Sequence, residues 1–503
     1  MNFKFCVLGC CLALASLLLS CRDVDADLRG MIPADADAVA VLNMGLLIEE
    51  MGMDAGELKL PQALRDAVGD NDDSPLCMAL AKLPRLGLDT ESHVYAFMPC
   101  KGSMRLVVLA ALSDVESATT TIQRMTGTDF TEGDDGIKTI CTGGLVCAIK
   151  GKTLLAASLT RSGGAFSSTL KGGEQAVTEA ADILNGAETK RRGRFAQDSP
   201  MSRVVANETS LAAACVKPTA LNQMLAASDW YTRAVSVAPV IQLFTESDID
   251  LIALDCQRRD GSITASLDIT ARPESDYSRL MAKILSWPDA NVLQTIPSTM
   301  DNIAMMSVHG DRLTDLPQVQ QMLDMFKQQQ YIGRMDLKPI LATIDGPIAC
   351  GFAADPHLYN VWNAVIAARS NAPGQVLQYI SDFGSAYGQR PQQQDGELIY
   401  GWDNKMVSVG ARGNIVYVKM LDYIQTEGPA SDIAGLREAF AGAITACYTR
   451  VNTPDGSAGN IIFTMENHTK GLATFSPGTP DGNPTLQLMC LLASVRPTNR
   501  FSN

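Results

Sequence analysis

The chain has 503 residues, 46% of them apolar and 19% charged. That composition excludes a chain disordered or membrane-embedded throughout, and the length holds two to four domains' worth of buried core. Acidic residues outnumber basic ones 55 to 41, for a net charge of -14; this excludes general nucleic-acid binding, which needs a basic footprint.

Met1 to Lys4 carry one positive charge, and Phe5 to Leu19 form an apolar stretch too short for an ordinary membrane span. The stretch ends Leu18-Leu19-Ser20-Cys21. A small residue before a Cys in that setting reads as a lipobox, so residues 1–20 are expected to be a lipoprotein signal peptide and Cys21 the lipidated first residue of the mature chain. The competing reading is a plain secretory signal with a chance cysteine, since Cys6, Cys10 and Cys11 occur in the same stretch. Residues 21–31 read as a tether. Its Asp23, Asp25 and Asp27 would be repelled by an anionic leaflet, and an acidic stretch at this place also resembles the surface-export signal of some bacterial lipoproteins. No later stretch reaches the roughly 18 apolar residues that a span needs.

Beyond the tether the order of elements repeats. Ile32-Pro33 leads into an apolar strand, and Ile296-Pro297 does the same; Asp37 and Ala40 match Asp301 and Ala304. The apolar run Leu106–Leu112 is strand-like. A helix is expected over Asp114–Met125, with Ser113 as N-cap and Glu116 completing the capping box. Asp135-Gly136 then opens three short strands, Ile137–Cys141, Leu145–Ile149 and Thr153–Ser158, with glycines at the turns. Asp395-Gly396 opens three more, Glu397–Gly401, Lys405–Val409 and Asn414–Lys419, after a helix over Gln375–Phe383. Helices Glu174–Leu184 and Asp432–Cys447 follow the two meanders. Strands Ile249–Cys256 and Ser262–Thr270 are joined through Asp260-Gly261, and Ile461–Glu466 and Leu486–Val495 read as strands near the C-terminus. A helix over Asp276–Trp287 ends at Pro288. Loops are expected at Asp70–Ser74, Lys190–Arg194, Gln392–Asp395 and Pro477–Pro484. The expected fold is therefore α+β: two tandem, related modules of antiparallel β-meander sheet packed with helices, over 32–290 and 291–503.

The lipobox, the tether and Ile32–Leu47 together resemble a family of bacterial envelope lipoproteins catalogued as domain of unknown function 4836. The clear match covers about the first fifty residues, and the length and doubled layout agree with it. The resemblance implies an exported, lipid-anchored protein of Gram-negative bacteria of the gut type. It brings no catalytic residues with it.

Nine cysteines lie beyond Cys21, an odd number, and no Cys-x-x-Cys occurs. In the hairpin through Gly143-Gly144, Thr142 faces Leu145, so Cys141 and Cys147 point to opposite faces and should not bridge. Cys256 and Cys350 sit in apolar runs and read as small buried hydrophobes. Of His93, His309, His357 and His468, none has a ligand spacing; His309, Asp311 and His357 would make a metal site only by converging in the fold. Ser168-Thr-Leu-Lys171 matches Ser-x-x-Lys without its companion boxes. Asp70–Ser74 lacks the Gly and Glu of a calcium loop, and Ser74-Pro75 reads better as the start of a helix over Leu76–Leu83. Asp134-Asp135 reads as a turn. Trp230, Trp287, Trp362 and Trp402 are scattered. Lys190, Arg191, Arg192 and Arg194 form the basic cluster, either an anion site or a solvated loop.

No catalytic, cofactor-binding or metal residue is assigned, and no cofactor is expected. The expected function is an exported envelope lipoprotein, lipid-anchored through Cys21 to the outer membrane on its periplasmic or surface face. It would act as a non-enzymatic binding or assembly factor for an envelope protein or glycan. The alternative is a lipid-anchored hydrolase acting on glycan or peptide.

Overall fold

The computed structural model describes residues 28–53, 61–68, 86–159, 173–195, 199–203, 209–220, 249–297, 300–327, 336–354, 362–386, 390–402, 405–422, 435–452, 458–478 and 482–494. Residues 1–27 with Cys21, the Asp70–Ser74 and Leu76–Leu83 segments, Ser168, Lys171, Trp230 and His357 lie outside them.

The fold is α+β, and the described residues form one twenty-stranded antiparallel sheet with helices on its faces. The first ten strands are β1 (Ala38–Leu42), β2 (Val94–Met98), β3 (Met104–Ala111), β4 (Thr131–Glu132), β5 (Lys138–Thr142), β6 (Leu145–Lys150), β7 (Thr153–Leu159), β8 (Ala212–Val216), β9 (Ile249–Arg259) and β10 (Ser262–Ala271). The second ten are β11 (Asn302–His309), β12 (Ile344–Ala354), β13 (Trp362–Ser370), β14 (Gln392–Gln394), β15 (Glu397–Trp402), β16 (Lys405–Arg412), β17 (Ile415–Asp422), β18 (Thr445–Asn452), β19 (Ala458–Asn467) and β20 (Lys470–Ser476). Pairing places the first set in the order β4-β5-β6-β7-β3-β2-β1-β8-β9-β10. It places the second in the order β14-β15-β16-β17-β13-β12-β11-β18-β19-β20. β10 pairs with β20 and joins the two runs.

Alternation of side chains gives the sheet two faces. On the face that carries Leu42, Val108, Cys147 and Leu154 (the A face), the first half is covered by α1 (Met44–Glu50), α2 (Gln62–Val68) and α3 (Val115–Thr126). The opposite B face is covered by α4 (Gly173–Leu184), whose Ala176, Ala180, Ile183 and Leu184 form one apolar stripe over Val146, Ala148 and Leu155. At the end of the first run, α6 (Asp276–Ile284) and α7 (Pro317–Lys327) share an apolar cluster with Ile249 and Ile252 of β9 and Ile269 of β10. In the second half, α8 (Pro373–Ala386) packs Val376 and Ile380 against Ala368 and Val416. On the B face, α9 (Leu436–Phe440) and the 3-10 turn Ala290–Thr295 cover Ile303, Val365 and Ala446. The C-terminal helix α10 (Pro484–Ser494) lies against α2 in the first half. Between α4 and α6 the short α5 (Ala187–Arg192) follows Gly186, held left-handed at φ 67.

Turn chemistry accounts for the meanders. Gly143 and Gly144 take φ 56 and 92, Asp260 and Gly261 take 48 and 75, and Asp395 and Gly396 take 51 and 85; consecutive positive φ values suit the strand twist. The hairpin register pairs Thr142 with Leu145 and Ile140 with Cys147, so Cys141 is exposed and Cys147 buried on opposite faces.

Several boundaries differ from expectation. Asp114, not Ser113, caps α3, accepting from the Glu116 and Ser117 amides, because the Ser113 hydroxyl is spent on the Leu88 carbonyl. α8 runs through Gly384, which lies against the Tyr400 ring. The helix expected over Asp432–Cys447 is only Leu436–Phe440; Gly442 at φ 82 ends it, and Cys447 belongs to β18 between β11 and β19. Leu486–Val495 is not a strand. Asn483 accepts from the Leu486 amide and Pro484 starts α10, while β19 pairs with Lys470–Ser476. α6 stops at Ile284, since Leu285 turns extended to bridge Val308. Lys190, Arg191 and Arg192 lie in α5 rather than in a loop. Cys256 and Cys350 are half-buried. Residues 28–30 are helical, and Leu28 and Ile32 are wholly buried, so the folded body begins inside the stretch read as tether.

Candidate functional site

A cavity of about 250 Å³ lies where the turn between β2 and β3 meets α4 and α5. Its apolar wall is Phe97, Met104 and Ile183, and its rim carries Lys101, Glu179, Glu188, Arg191 and Arg192. Glu179 holds the turn in place. Its carboxylate accepts from the Ser103 amide at 2.9 and 3.1 Å, from the Ser103 hydroxyl at 2.8 Å and from the Gln175 amide at 2.8 Å. Gly102 reaches this contact at φ 128, and a Cβ there would stand 2.9 Å from Glu179 Oε2. Position 102 therefore needs glycine twice, for its backbone angle and for its space.

Arg191 and Arg192 are committed to carboxylates. Arg191 pairs with Asp182 at 2.6 Å and with Glu188 at 2.7 Å. Arg192 Nε lies 3.4 Å from Asp35 and 3.5 Å from Glu188. Exposed pairs such as that of Arg191 contribute little, while Arg192 and Glu188, 19% and 17% exposed, are better shielded. Lys217 fixes the same lead-in strand, bonding Asp37 and the Asp35 carbonyl at 3.0 Å. The rim thus carries both signs of charge over an apolar floor, beside Pro33. The basic cluster was visible in the sequence; its pairing with acidic partners three to more than a hundred residues away along the chain was not.

The remaining sequence candidates fall elsewhere. His309 hydrogen-bonds Asp345 at 2.8 Å, its direct cross-strand neighbour, and not Asp311. Trp287, 42% exposed, stands edge-on to His309. The Arg369 guanidinium lies 5.0 Å over the Trp287 ring and bonds Asp289 at 3.1 Å. With its amide oxygen turned inward, Asn414 accepts from Arg369 Nε and Nη2 at 3.2 Å. This cluster ties the stretch after α6 to the second half of the sheet, a stacked guanidinium contact that no local spacing announces. Asp134-Asp135 is a turn, with Asp135 accepting from Asn185 and the Ile137 amide. Among the described residues no group of three or more His, Cys, Asp or Glu could hold a metal ion.

A polar group also occupies the B face of the second meander. Tyr417 donates to Glu397, and the Lys419 ammonium lies 4.4 Å from the centre of the Tyr417 ring and 3.8 Å from Glu397. Burial, with the Glu397 hydrogen bond and charge, pushes the Tyr417 hydroxyl up to about 12. Burial alone would raise the Glu397 carboxyl, but bonds from Tyr417 and Ser408 and the Lys419 charge outweigh it and hold it low.

No protein family matches the chain, and no curated protein does. Two solved structures described as crystal forms III and IV of TP0453 overlap 49% and 48% of this chain and 80% of their own. They do so at 12% identity and TM-scores of 0.28 and 0.26, a likeness that supports no argument.

Proposed function

We propose that the chain is an exported envelope lipoprotein, anchored in the outer membrane through Cys21, that acts as a binding or assembly factor. The observation that carries this reading is Leu18-Leu19-Ser20-Cys21 behind a short apolar stretch. Six residues, 22–27, separate Cys21 from the first described residue, a reach of about 25 Å at most. The cavity beside Pro33 and Asp35 would then lie close to the membrane surface.

The same reading takes the chain as two tandem, related modules. In its favour, β1–β10 and β11–β20 repeat one spatial order, and Ala40 and Ala304 stand at corresponding places in it.

The test is to label cells with a radioactive fatty acid and fractionate them, with wild type and Cys21→Ala side by side. The wild type should carry label and sediment with membranes; the variant should lose both. A Cys21→Ala chain that stays labelled and membrane-bound would overturn the anchor. Protease treatment of intact cells then separates a surface location, where the protein is cut, from a periplasmic one, where it is protected.

A further inference from the structure

Trp287 is 42% exposed although its neighbours are fixed. The Arg369 guanidinium backs one face of the indole at 5.0 Å, and His309 stands toward its edge with the ring centres 6.4 Å apart. Arg369 is held in place along its length. Its stem crosses β12 at Gly346, where a Cβ would stand 2.9 Å from Arg369 Cδ. Its guanidinium bonds Asp289 at 3.1 Å and the Asn414 amide oxygen at 3.2 Å. Asp289 is fixed in turn, its other oxygen accepting from the Asn291 amide at 2.9 Å. With one face backed and one edge occupied, the accessible part of the indole is its other face. The ring is thus a preorganised plate, and binding on it orders no loose side chain.

Hydrogen-bonding capacity is left over beside the plate. Asp345 Oδ1 bonds His309 Nδ1 at 2.8 Å; an ionised carboxylate only accepts, so the imidazole donates there and its Nε2 is left an acceptor. Among the described residues no partner meets Asp345 Oδ2, His309 Nε2, the Asn414 amide nitrogen or the Trp287 indole N–H. Two acceptors and two donors are unspent, and a hydroxyl serves both. A pyranose with equatorial hydroxyls carries them round the rim of a flat ring, and its axial C–H groups suit the negative face of an indole. An anion would meet the Asp345 carboxylate, and a cation the Arg369 charge behind the ring. The core of a protein interface is apolar, whereas the neighbours His309, Asp345, Arg369, Asp289 and Asn414 are all polar. We propose that Trp287 is the stacking platform for one pyranose unit of a neutral glycan, with Asp345 and His309 accepting from its hydroxyls. The inference rests on the reading of the chain as a binding factor, not on the anchor at Cys21.

The experiment uses the full mature chain with Cys21→Ala and, as probes, cellotetraose and N-acetylchitotetraose, both chains of equatorially substituted pyranoses. Sorbitol supplies hydroxyls without a ring and serves as the control. Binding is followed by calorimetry and by tryptophan fluorescence. At least one tetrasaccharide should bind saturably, and sorbitol should not. Trp287→Ala should weaken binding about tenfold or more, and Trp287→Phe, which keeps a ring, should weaken it less. Asp345→Ala should weaken it about fivefold or more. Circular dichroism and the melting temperature confirm that each variant is folded. Binding of N-acetylchitotetraose alone would name an amino-sugar chain as the ligand, and binding of both a glycan read without its acetamido group. Failure of the folded protein to bind either tetrasaccharide would overturn the proposal, as would full affinity in Trp287→Ala or Asp345→Ala. A concentration-dependent dimer that Trp287→Ala breaks, without sugar binding, would also overturn it and name a second copy as the occupant. None of these failures touches the fatty-acid labelling at Cys21, so they are distinguishable from failure of the anchor.

Discussion

The two halves of the sheet share a strand order and differ in what covers it. Starting at Ala40, the in-register step through Ala96 reaches Val108; starting at Ala304, the same step through Cys350 reaches Ile366. Val108 is 2% exposed and Ile366 54%. On the B face the contrast is one of chemistry. Val146, Ala148 and Leu155 lie under α4, whereas the corresponding strands β15 to β17 present Glu397, Ser408 and Tyr417 to one another. Pairing depends on backbone groups that every residue supplies, so the order survives wide changes of side chain. Cover depends on side chains, and there the halves have separated.

The largest effect expected from this contrast is on stability. Val108→Asp buries an unpaired charge and should cost more than about 4 kcal/mol, enough to prevent folding. Ile366→Asp, on the corresponding strand, should change stability by no more than about 0.5 kcal/mol. Urea denaturation of both variants checks the pair, and equal losses would mean that Ile366 is covered in solution.

Thiol chemistry sharpens the same contrast. Burial pushes Cys147 and Cys215 up to about 12, so at neutral pH their thiolate fraction is about a thousandfold below that of a free cysteine. Exposed Cys141 should label first with a maleimide, and half-buried Cys350 and Cys447 next. Cys147 and Cys215 should label only on unfolding. Mass spectrometry of a time course reads the order; early labelling of Cys147 would show that the first half opens readily.

A smaller effect is expected at the cavity. Glu179→Ala leaves the Ser103 amide without its acceptor and should cost about 1–3 kcal/mol. Amide exchange at Ser103 should quicken while the core strands of the second half stay protected. Glu179→Gln keeps an acceptor oxygen and should cost less.

What could be read in advance was local. The Asp-Gly and Gly-Gly turns, the Ile-Pro lead-ins and the helix over Glu174–Leu184 each declare themselves within a dozen residues. Leu486–Val495 misleads because a mostly apolar run fits a buried strand or a buried helix equally; Asn483 and Pro484 decide it as a helix start. Asp432–Cys447 misleads in the opposite sense, since its helix formers continue past Gly442 into residues that two neighbouring strands capture. The cavity was half legible. Lys190–Arg192 stood out as a charge run, but Asp35, Glu179 and the turn at Gly102 join it only through the sheet. The stack of Arg369 on Trp287 spans more than eighty residues and had no local signal.

The smallest effect concerns Tyr417, where the second half replaces apolar cover with a hydrogen bond. Its hydroxyl stands at about 12 in the folded chain against 10 as the reference for an unfolded one. Between those values the unfolded chain has released the proton and the folded chain has kept it, so stability falls as pH rises from about 10 to about 12. Below pH 10 the contribution is present in full. Tyr277, also raised to about 12 by burial, adds to the fall, as do the buried thiols, so the wild-type curve alone does not isolate Tyr417. Tyr417→Phe does. It keeps the ring on Gly410, removes the bond to Glu397, and should cost about 1 kcal/mol at pH 8. The variant should also lose less stability than wild type between pH 10 and 12. Parallel alkaline curves for the two proteins would show that Glu397 does not depend on this hydroxyl, and that the polar patch on β15 to β17 is held by Ser408 and Lys419 instead.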